Sequence, residues 1–302
     1  MRNLIDMETI QIECTTRCTN RCANCTRFIK HYPSWDMEFD QFKEAVDSMV
    51  EYPKMTGMTG GDPILHPDFE KMCKYLHDKI PPERCGLWTT FPPGFEHYRE
   101  VIVETFKHIF LNDHSRPDVM HHPFLVGVQE IYTEKCNMNY NISHCFFQES
   151  WSASINPLGA FFCEMAASQA KLFHELHRGW KVESKWWCRQ VWDFKDQIEQ
   201  FCPRCGGCVP LKRRSSQEKV DDISPLNWEL LGKPEGFEIH NLKTFKDPRP
   251  LASYKEEFYR KEIAKRYGIF LVLNDQNFMS PYLHKKFKVG ENNYGIDDSY
   301  FI

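Results

Sequence analysis

The sequence lacks long hydrophobic runs and any excess of positive charge. No window approaches the ~18 consecutive apolar residues that a membrane helix needs. The first residues, MRNLIDMETIQIE, have no apolar core of the length that a signal peptide requires. The formal net charge of −4 over 302 residues argues against a generally cationic nucleic-acid binder. We therefore expect a cytoplasmic chain without a membrane segment, long enough to bury a sizeable core.

Cysteine, in contrast, is abundant, with 13 residues in the chain. Thiols stay reduced in the cytoplasm, so clustered cysteines there more often bind metal than form disulfides. Cys18, Cys22 and Cys25 have the spacing C-x3-C-x2-C. Thiolates are the usual ligands of iron–sulfur clusters, and three of them leave one iron of a [4Fe–4S] cube open to a small molecule. This loop is therefore predicted to hold such a cluster.

Two alternatives accompany the cysteine loop. Cys14 lies four residues before Cys18 and is either a fourth ligand or, as we interpret it, an ordinary buried thiol at the end of a predicted strand. Zinc is the competing metal, but zinc sites favour paired C-x2-C knuckles, and no second knuckle lies near this loop.

Apolar periodicity predicts alternating strands and helices in the first part of the chain. Such alternation indicates βαβ units and a parallel sheet, with too few units for a closed eight-stranded barrel. An open, partial barrel is expected. The predicted strands are Thr9–Glu13, Met55–Thr59, Gly86–Thr90, His108–Asn112 and Leu125–Ile131, and the predicted helices are Glu38–Val50, Asp68–Lys79 and Glu96–Lys107.

A second group of cysteines follows in the segments CFFQESWSASINPLGAFFC, which runs from Cys145 to Cys163, and CPRCGGC. A hairpin through 156–159 would bring the ends of the first segment together. The knuckle of Cys202, Cys205 and Cys208 would then complete a second four-thiolate site, for which a zinc ribbon is the rival interpretation. Residues 216–252 are polar and rich in proline, which predicts an extended linking stretch.

A strand followed by C-x3-C-x2-C, and then the motif TGGDP after a second strand, resembles the radical S-adenosylmethionine (SAM) superfamily. The resemblance implies a partial (βα)6 TIM-like barrel, a [4Fe–4S] cluster on Cys18, Cys22 and Cys25, and SAM bound to that cluster. It implies SAM contacts for the TGGDP residues. Asn112 and Ser115, at the end of a later strand, are candidates for holding the ribose, although turn chemistry is the simpler interpretation of both. These cofactor-binding candidates are Thr59, Gly60, Gly61, Asp62, Pro63, Asn112 and Ser115.

The sequence departs from the superfamily pattern at two positions. Asp62 stands where the family usually has glutamate, so its carboxylate is one methylene shorter. Asn24 stands where the residue before the third cysteine is usually aromatic and packs near the adenine. The second departure leaves the cluster ligands in place but removes the expected adenine contact.

The order of the later cysteines resembles the twitch and SPASM auxiliary-cluster domains of radical SAM enzymes. This implies one auxiliary [4Fe–4S] cluster on Cys145, Cys163, Cys202 and Cys205, with Cys208 as the chief alternative and Cys188 as a lesser one. Glu164, directly after Cys163, is a candidate for contact with substrate or cluster, although a packing role is the simpler interpretation. The expected domains are 1–135, the radical SAM partial barrel; 136–215, the auxiliary domain; and 216–302, a C-terminal extension of unknown role.

The resemblance implies an enzyme that reductively cleaves SAM to a 5′-deoxyadenosyl radical and abstracts a substrate hydrogen. A lone auxiliary cluster favours oxidation or rearrangement of a polar small molecule of amino sugar or cyclitol type. Modification of a peptide or of a base on nucleic acid is the alternative. The expected partner is a reductant such as flavodoxin or ferredoxin. The rival from another class is a non-enzymatic zinc-binding interaction protein.

Overall fold

A seven-stranded, mostly parallel sheet organises the α/β fold in the computed structural model. The structure describes residues 1–112, 114, 119–173, 179–209, 211, 213–240 and 270–273. No helix of this described part combines the length and the apolar character needed to cross a bilayer. The seven-stranded sheet confirms the predicted α/β class with a parallel sheet.

The order of strands in the main sheet is β11-β4-β3-β2-β1-β6-β7. All pairings from β4 to β6 are parallel, while β7 and β11 pair antiparallel at the two edges. In chain order the strands are β1 (Thr9–Thr15), β2 (Met55–Gly60), β3 (Cys85–Thr89), β4 (His108–Asn112), β5 (Met120–His121), β6 (Ala153–Asn156), β7 (Gly159–Phe161), β8 (Arg214–Ser215), β9 (Asp221–Ile223), β10 (Phe237–Ile239) and β11 (Phe270–Leu273).

The central position of β1 follows from its two parallel neighbours. Gln11 pairs with Gly57 of β2 on one side and with Ser154 of β6 on the other. The parallel set among the described residues therefore has five strands, β1 to β4 and β6, where the resemblance implied six. The helices are α1 (Phe39–Met49), α2 (Phe69–Lys79), α3 (Arg99–Thr105), α4 (Lys135–Ser143), α5 (Phe146–Ser150), α6 (Glu164–Leu172), α7 (Lys195–Phe201) and α8 (Pro225–Leu230).

Side chains alternate along β1 between an apolar and a polar face of the sheet. Ile10 and Ile12 are buried in the same apolar core as Val46 of α1 and Met72 of α2. Gln11 and Glu13 are also buried, and they point to the opposite face. A buried polar face on the central strand requires partners, and these come from the site described below.

Two predicted elements have contrasting outcomes. The hairpin is confirmed, because β6 and β7 pair antiparallel around the turn and Asn156 opposes Gly159. The strand predicted at Leu125–Ile131 is wrong, because Val128–Glu130 forms a short 3-10 helix and Leu125 makes only one isolated bridge, to Ile223. Short apolar runs do not distinguish a strand from a buried turn by periodicity alone.

Replacing Ile12 by alanine is expected to lower the free energy of unfolding by about 2–5 kcal/mol, because the truncation leaves a cavity beside the central strand. Ile12 is 1% exposed, whereas Ile239 is 43% exposed. Ile239→Ala is the matched control and is expected to change stability by less than about 0.5 kcal/mol. Urea denaturation followed by circular dichroism measures both, and equal effects would contradict the central position of β1.

Candidate functional site

The cysteine loop starts where the central strand ends. Cys14 still belongs to β1 and is fully buried, and its thiol donates to the carbonyl oxygen of Thr59 at 3.4 Å. Burial raises the pKa of the Cys14 thiol well above its usual range. This environment fits the interpretation of Cys14 as an ordinary buried thiol.

The other three cysteines of the loop influence one another electrostatically. Burial, with a smaller contribution from charge on neighbouring loop thiols, raises the pKa of Cys18 and of Cys22 to about 12. Burial likewise raises the pKa of Cys25. Such thiols stay protonated at neutral pH unless a bound cation compensates the negative charge of the thiolates. The loop is therefore suited to bind a cationic metal group with release of protons.

The spacing of the thiols can be compared with that of a zinc site. A tetrahedral zinc ion, with zinc–sulfur bonds of about 2.3 Å, holds its thiolates only about 3.8 Å apart. Across the described ranges, three cysteine thiols nowhere lie within 4.8 Å of one another. A cube of four irons separates its ligands farther than one zinc ion does. Among the described residues, neither cysteine group therefore has three thiols as close together as a single zinc ion would hold them.

The TGGDP motif ends β2 directly beside this loop. A Cβ on Gly60 would lie 2.2 Å from the carbonyl oxygen of Thr15, and one on Gly61 would lie 2.3 Å from that of Arg17. The two glycines therefore let the end of β2 pack against the backbone that enters the loop. Pro63 begins a short 3-10 helix after the motif.

Asp62 is engaged by the protein itself. Its fully buried carboxylate accepts hydrogen bonds from the Thr89 hydroxyl at 2.7 Å and from the Thr90 amide at 2.9 Å. Burial raises the pKa of Asp62, and these hydrogen bonds oppose that rise. The carboxylate therefore ties the end of β2 to the end of β3.

One of the two ribose candidates, Asn112, lies in the described part of the chain. Asn112 is the last residue of β4, is partly exposed, and pairs with Phe270 of β11. Ser115 lies outside the described residues. Asn24, at the position of the expected aromatic residue, is 5% exposed, and its side-chain amide donates to the carboxylate of Asp222.

The second cysteine group lines a single cavity. Cys145 and Cys163 precede α5 and α6, while the later three cysteines follow α7. Burial raises the pKa of every one of these thiols, that of Cys205 to about 12. Phe124, Phe147 and other apolar side chains form the rest of the wall. The cysteines at this cavity are Cys145, Cys163, Cys202, Cys205 and Cys208.

Cys188, the lesser alternative, is exposed and does not line this cavity. Its neighbours Trp186 and Trp187 are buried, so the chain here anchors two indoles and leaves the thiol outside. The structure therefore separates Cys188 from the five cysteines of the cavity.

Buried ion pairs connect the two cysteine groups. Arg27, two residues after Cys25, contacts Glu164 at 2.6 Å and Gln11 at 2.6 Å. Glu164 directly follows Cys163, so one ion pair spans from the loop to the cavity. The sequence showed Glu164 as a candidate, but its partner Arg27 carried no sequence signal.

A second buried pair joins Lys171 of α6 to Glu13 of β1. Burial lowers the pKa of Lys171 to about 8, although the charge of Glu13 acts in the opposite direction. Within the described residues, Glu13 Oε2 and Arg27 Nη1 are buried and have no hydrogen-bond partner. The polar face of β1 thus carries a nearly neutral set of charges with unused hydrogen-bonding capacity.

Comparison with known proteins finds a similarity in the first part of the chain. Residues 12–111 match the family model described as Radical SAM superfamily. The match extends from within β1 into β4 and includes the cysteine loop and the TGGDP motif, which together make up about a third of the chain. No curated protein matches the sequence.

Two crystal structures of BtrN are similar to this chain in outline. For BtrN in complex with AdoMet and 2-DOIA, the TM-score is 0.45 at 10% identity, covering 66% of this chain and 93% of that one. For selenomethionine BtrN in an open conformation, the values are 0.43, 14%, 71% and 98%. Both TM-scores are too low to support a conclusion about the site or the substrate.

Replacing Gly61 by alanine is expected to displace the cysteine loop, because the new methyl group meets the backbone at Arg17. We expect a loss of about 1–3 kcal/mol in the free energy of unfolding and less iron bound per chain. Gly127→Ala is the control, since its Cβ would approach no atom closer than 3.1 Å, and that atom is on the flexible side chain of Glu130. Equal iron content in both variants would contradict the expectation.

Removing the Lys171 cation alone is expected to destabilise the protein by about 3–5 kcal/mol, because it leaves the Glu13 carboxylate buried without compensation. The double variant Glu13→Leu/Lys171→Met is expected to recover at least half of that loss. Denaturant unfolding of the single and double variants gives the coupling energy. The exposed pair Lys74–Glu70, at 2.5 Å, is the matched control, and a coupling energy for it as large as that of the buried pair would refute the assignment.

Proposed function

We propose that this protein is a radical SAM enzyme. When bound, a [4Fe–4S] cluster supplies the electron that cleaves SAM to methionine and a 5′-deoxyadenosyl radical, which abstracts hydrogen from the substrate. Cys18, Cys22 and Cys25 would hold this cluster. The main support for this proposal is that these three thiols lie together at the end of the central strand, beside Gly60 and Gly61. All of these residues fall within the part of the chain that matches the family model.

The residues around the loop fit a three-ligand cluster. The fourth iron of the cube would stay free for the amine and carboxylate of SAM. The backbone of the TGGDP motif would meet the SAM amino group, as the resemblance implies, while Asp62 keeps that backbone in place through β3. Asn112 and Ser115 stay candidates for the ribose.

We further propose that the five-cysteine cavity holds one auxiliary [4Fe–4S] cluster. Cys145, Cys163, Cys202 and Cys205 are the assigned ligands, with Cys208 as the alternative. Support comes from their shared cavity and from its apolar wall, which would exclude water from the cluster. In this role the residues would help electrons leave the substrate or pass between the two sites.

The proposed substrate is a polar small molecule of amino sugar or cyclitol type, which is oxidised or rearranged. Support comes from the polar face of β1, where Glu13 and Arg27 keep buried hydrogen-bonding atoms unused among the described residues. A ligand rich in hydroxyl and amino groups would satisfy such atoms. The proposed electron donor is a flavodoxin or ferredoxin, and the exposed Arg21 of the loop suits an acidic protein of this kind.

Anaerobic purification tests this function. We expect a brown protein with about eight irons per chain that forms 5′-deoxyadenosine from SAM when reduced with dithionite. Replacing Cys18, Cys22 and Cys25 together by alanine is expected to leave about four irons and to abolish cleavage of SAM. A double alanine variant of the exposed Cys136 and Cys188 is the matched control and keeps the iron and the activity.

Three results would decide against parts of the proposal. A colourless protein that contains only zinc would favour the non-enzymatic interaction protein. Iron at the loop together with zinc at the cavity would refute only the auxiliary cluster and would leave the cluster at the loop in place. Full iron content after loss of the three loop cysteines would refute their role as ligands.

A further inference from the structure

We propose that Asp221 and Asp222 position the cysteine loop by holding Asn24, so that residues 214–240 are part of the cluster site. We call residues 214–240 the clamp segment. This inference rests on the proposed function for its consequence, since the loop is the proposed holder of the cluster. It assigns a role to the beginning of the C-terminal extension, for which the sequence predicted only an extended linking stretch.

The contact between Asn24 and Asp222 is reciprocal. The side-chain amide of Asn24 donates to Asp222 Oδ2 at 2.6 Å, and the backbone amide of Asp222 donates to Asn24 Oδ1 at 2.8 Å. The backbone amide of Asn24 donates in addition to Asp221 Oδ1. All three residues are at least 95% buried, so each of these hydrogen bonds is shielded from water.

The conformation of Asn24 makes these hydrogen bonds matter for Cys25. Its φ of 48° lies in the left-handed region, which asparagine tolerates better than most residues with a side chain. The hydrogen bonds hold this turn directly before the third cysteine. Without them, the direction in which the chain enters Cys25 would have little local support, since residues 16–35 form no helix or strand.

The clamp segment contacts the loop on both sides of Asn24. The backbone amide of Ala23 donates to the carbonyl oxygen of Ser216 at 3.1 Å. Asp221 pairs with Lys30 at 3.0 Å and also with His31. The ring of His31 stacks on Phe237 with centroids 4.3 Å apart. These contacts extend from the middle of the loop to six residues beyond Cys25.

Two further side chains, Arg214 and His240, hold the carboxylate of Asp222. Arg214 donates to both of its oxygens, at 3.0 and 2.6 Å, and His240 contacts it at 2.7 Å. Asp222, Glu238 and His240 bring three ligand atoms within 4.8 Å, as a metal site would. However, the guanidinium group of Arg214 already contacts the carboxylates of Asp222 and Glu238, so this group of side chains has its own cation and serves as an anchor.

The geometry also accounts for the departure at position 24. An aromatic side chain there could not form the reciprocal hydrogen bonds to Asp222. This chain instead uses the side-chain amide of Asn24 to connect the loop with Asp222, which lies 198 positions later. We therefore treat Asn24, Asp221 and Asp222 as positioning residues, which act on the cluster through the loop and do not touch it.

The test changes the hydrogen-bonding side chain first at position 24 alone and then at positions 24 and 222 together. Asn24→Asp removes the donor and places two carboxylates against each other, so we expect it to release the loop. In the full chain, iron is expected to fall from about eight to about four per chain, and the electron paramagnetic resonance signal that changes on addition of SAM should disappear. The signal of the auxiliary cluster should persist, which shows that the variant is folded.

Combining Asn24→Asp with Asp222→Asn restores a donor opposite an acceptor. We expect this double variant to recover at least half of the lost iron and of the SAM-dependent signal. Glu229→Gln, which removes an exposed carboxylate elsewhere in the clamp segment, is the matched control and leaves both readouts unchanged. Full iron and an unchanged SAM-dependent signal in Asn24→Asp would overturn the inference.

A measurement without metal separates this inference from the proposed function. Hydrogen exchange of the metal-free chain is expected to be about tenfold faster in residues 18–31 of Asn24→Asp than in the wild type. If the wild type contains no iron, the proposed function fails, and this exchange alone decides whether the clamp segment positions the loop. Unchanged exchange in residues 18–31 would then refute the clamp.

Discussion

The arrangement of the site depends on the pairing of charges inside the protein. Arg27 and Glu164 are both nearly inaccessible, as are Glu13 and Lys171. A buried charge without a partner costs several kcal/mol, so each pair requires its two elements to stay in contact. Because one pair joins the cysteine loop to α6, and the other joins β1 to α6, the loop and the helix hold a fixed relation to the central strand.

This relation also fixes the separation of the two cysteine groups. Cys163 immediately precedes Glu164, and Cys25 lies two residues before Arg27. The ion pair of 2.6 Å therefore connects the two proposed cluster sites through very few covalent bonds. Electron transfer between the sites, if the proposed function holds, would depend on a distance that this pair helps to set.

The cysteine loop itself has no regular secondary structure and is held from three directions. The glycines at the end of β2 allow close packing from one side, Arg27 connects the loop to α6, and the clamp segment holds Asn24. Each contact uses polar or backbone groups, so the loop is placed by directional hydrogen bonds. A loop placed in this way can present thiols whose pKa is raised by burial and which ionise when a metal group binds.

Local patterns in the sequence determined the elements, and long-range contacts determined the site. The helical stripes of α1 and α2, the turn between β6 and β7, and the C-x3-C-x2-C spacing depend on residues close together in the chain. They were predictable because period and turn chemistry act locally. The strand predicted at Leu125–Ile131 was wrong, because an apolar run alone does not specify which neighbour it would pair with. Only the tertiary structure placed β6 beside β1, Arg27 against Glu164 and Asn24 against Asp222, because such pairs join residues more than a hundred positions apart and leave no periodic signal.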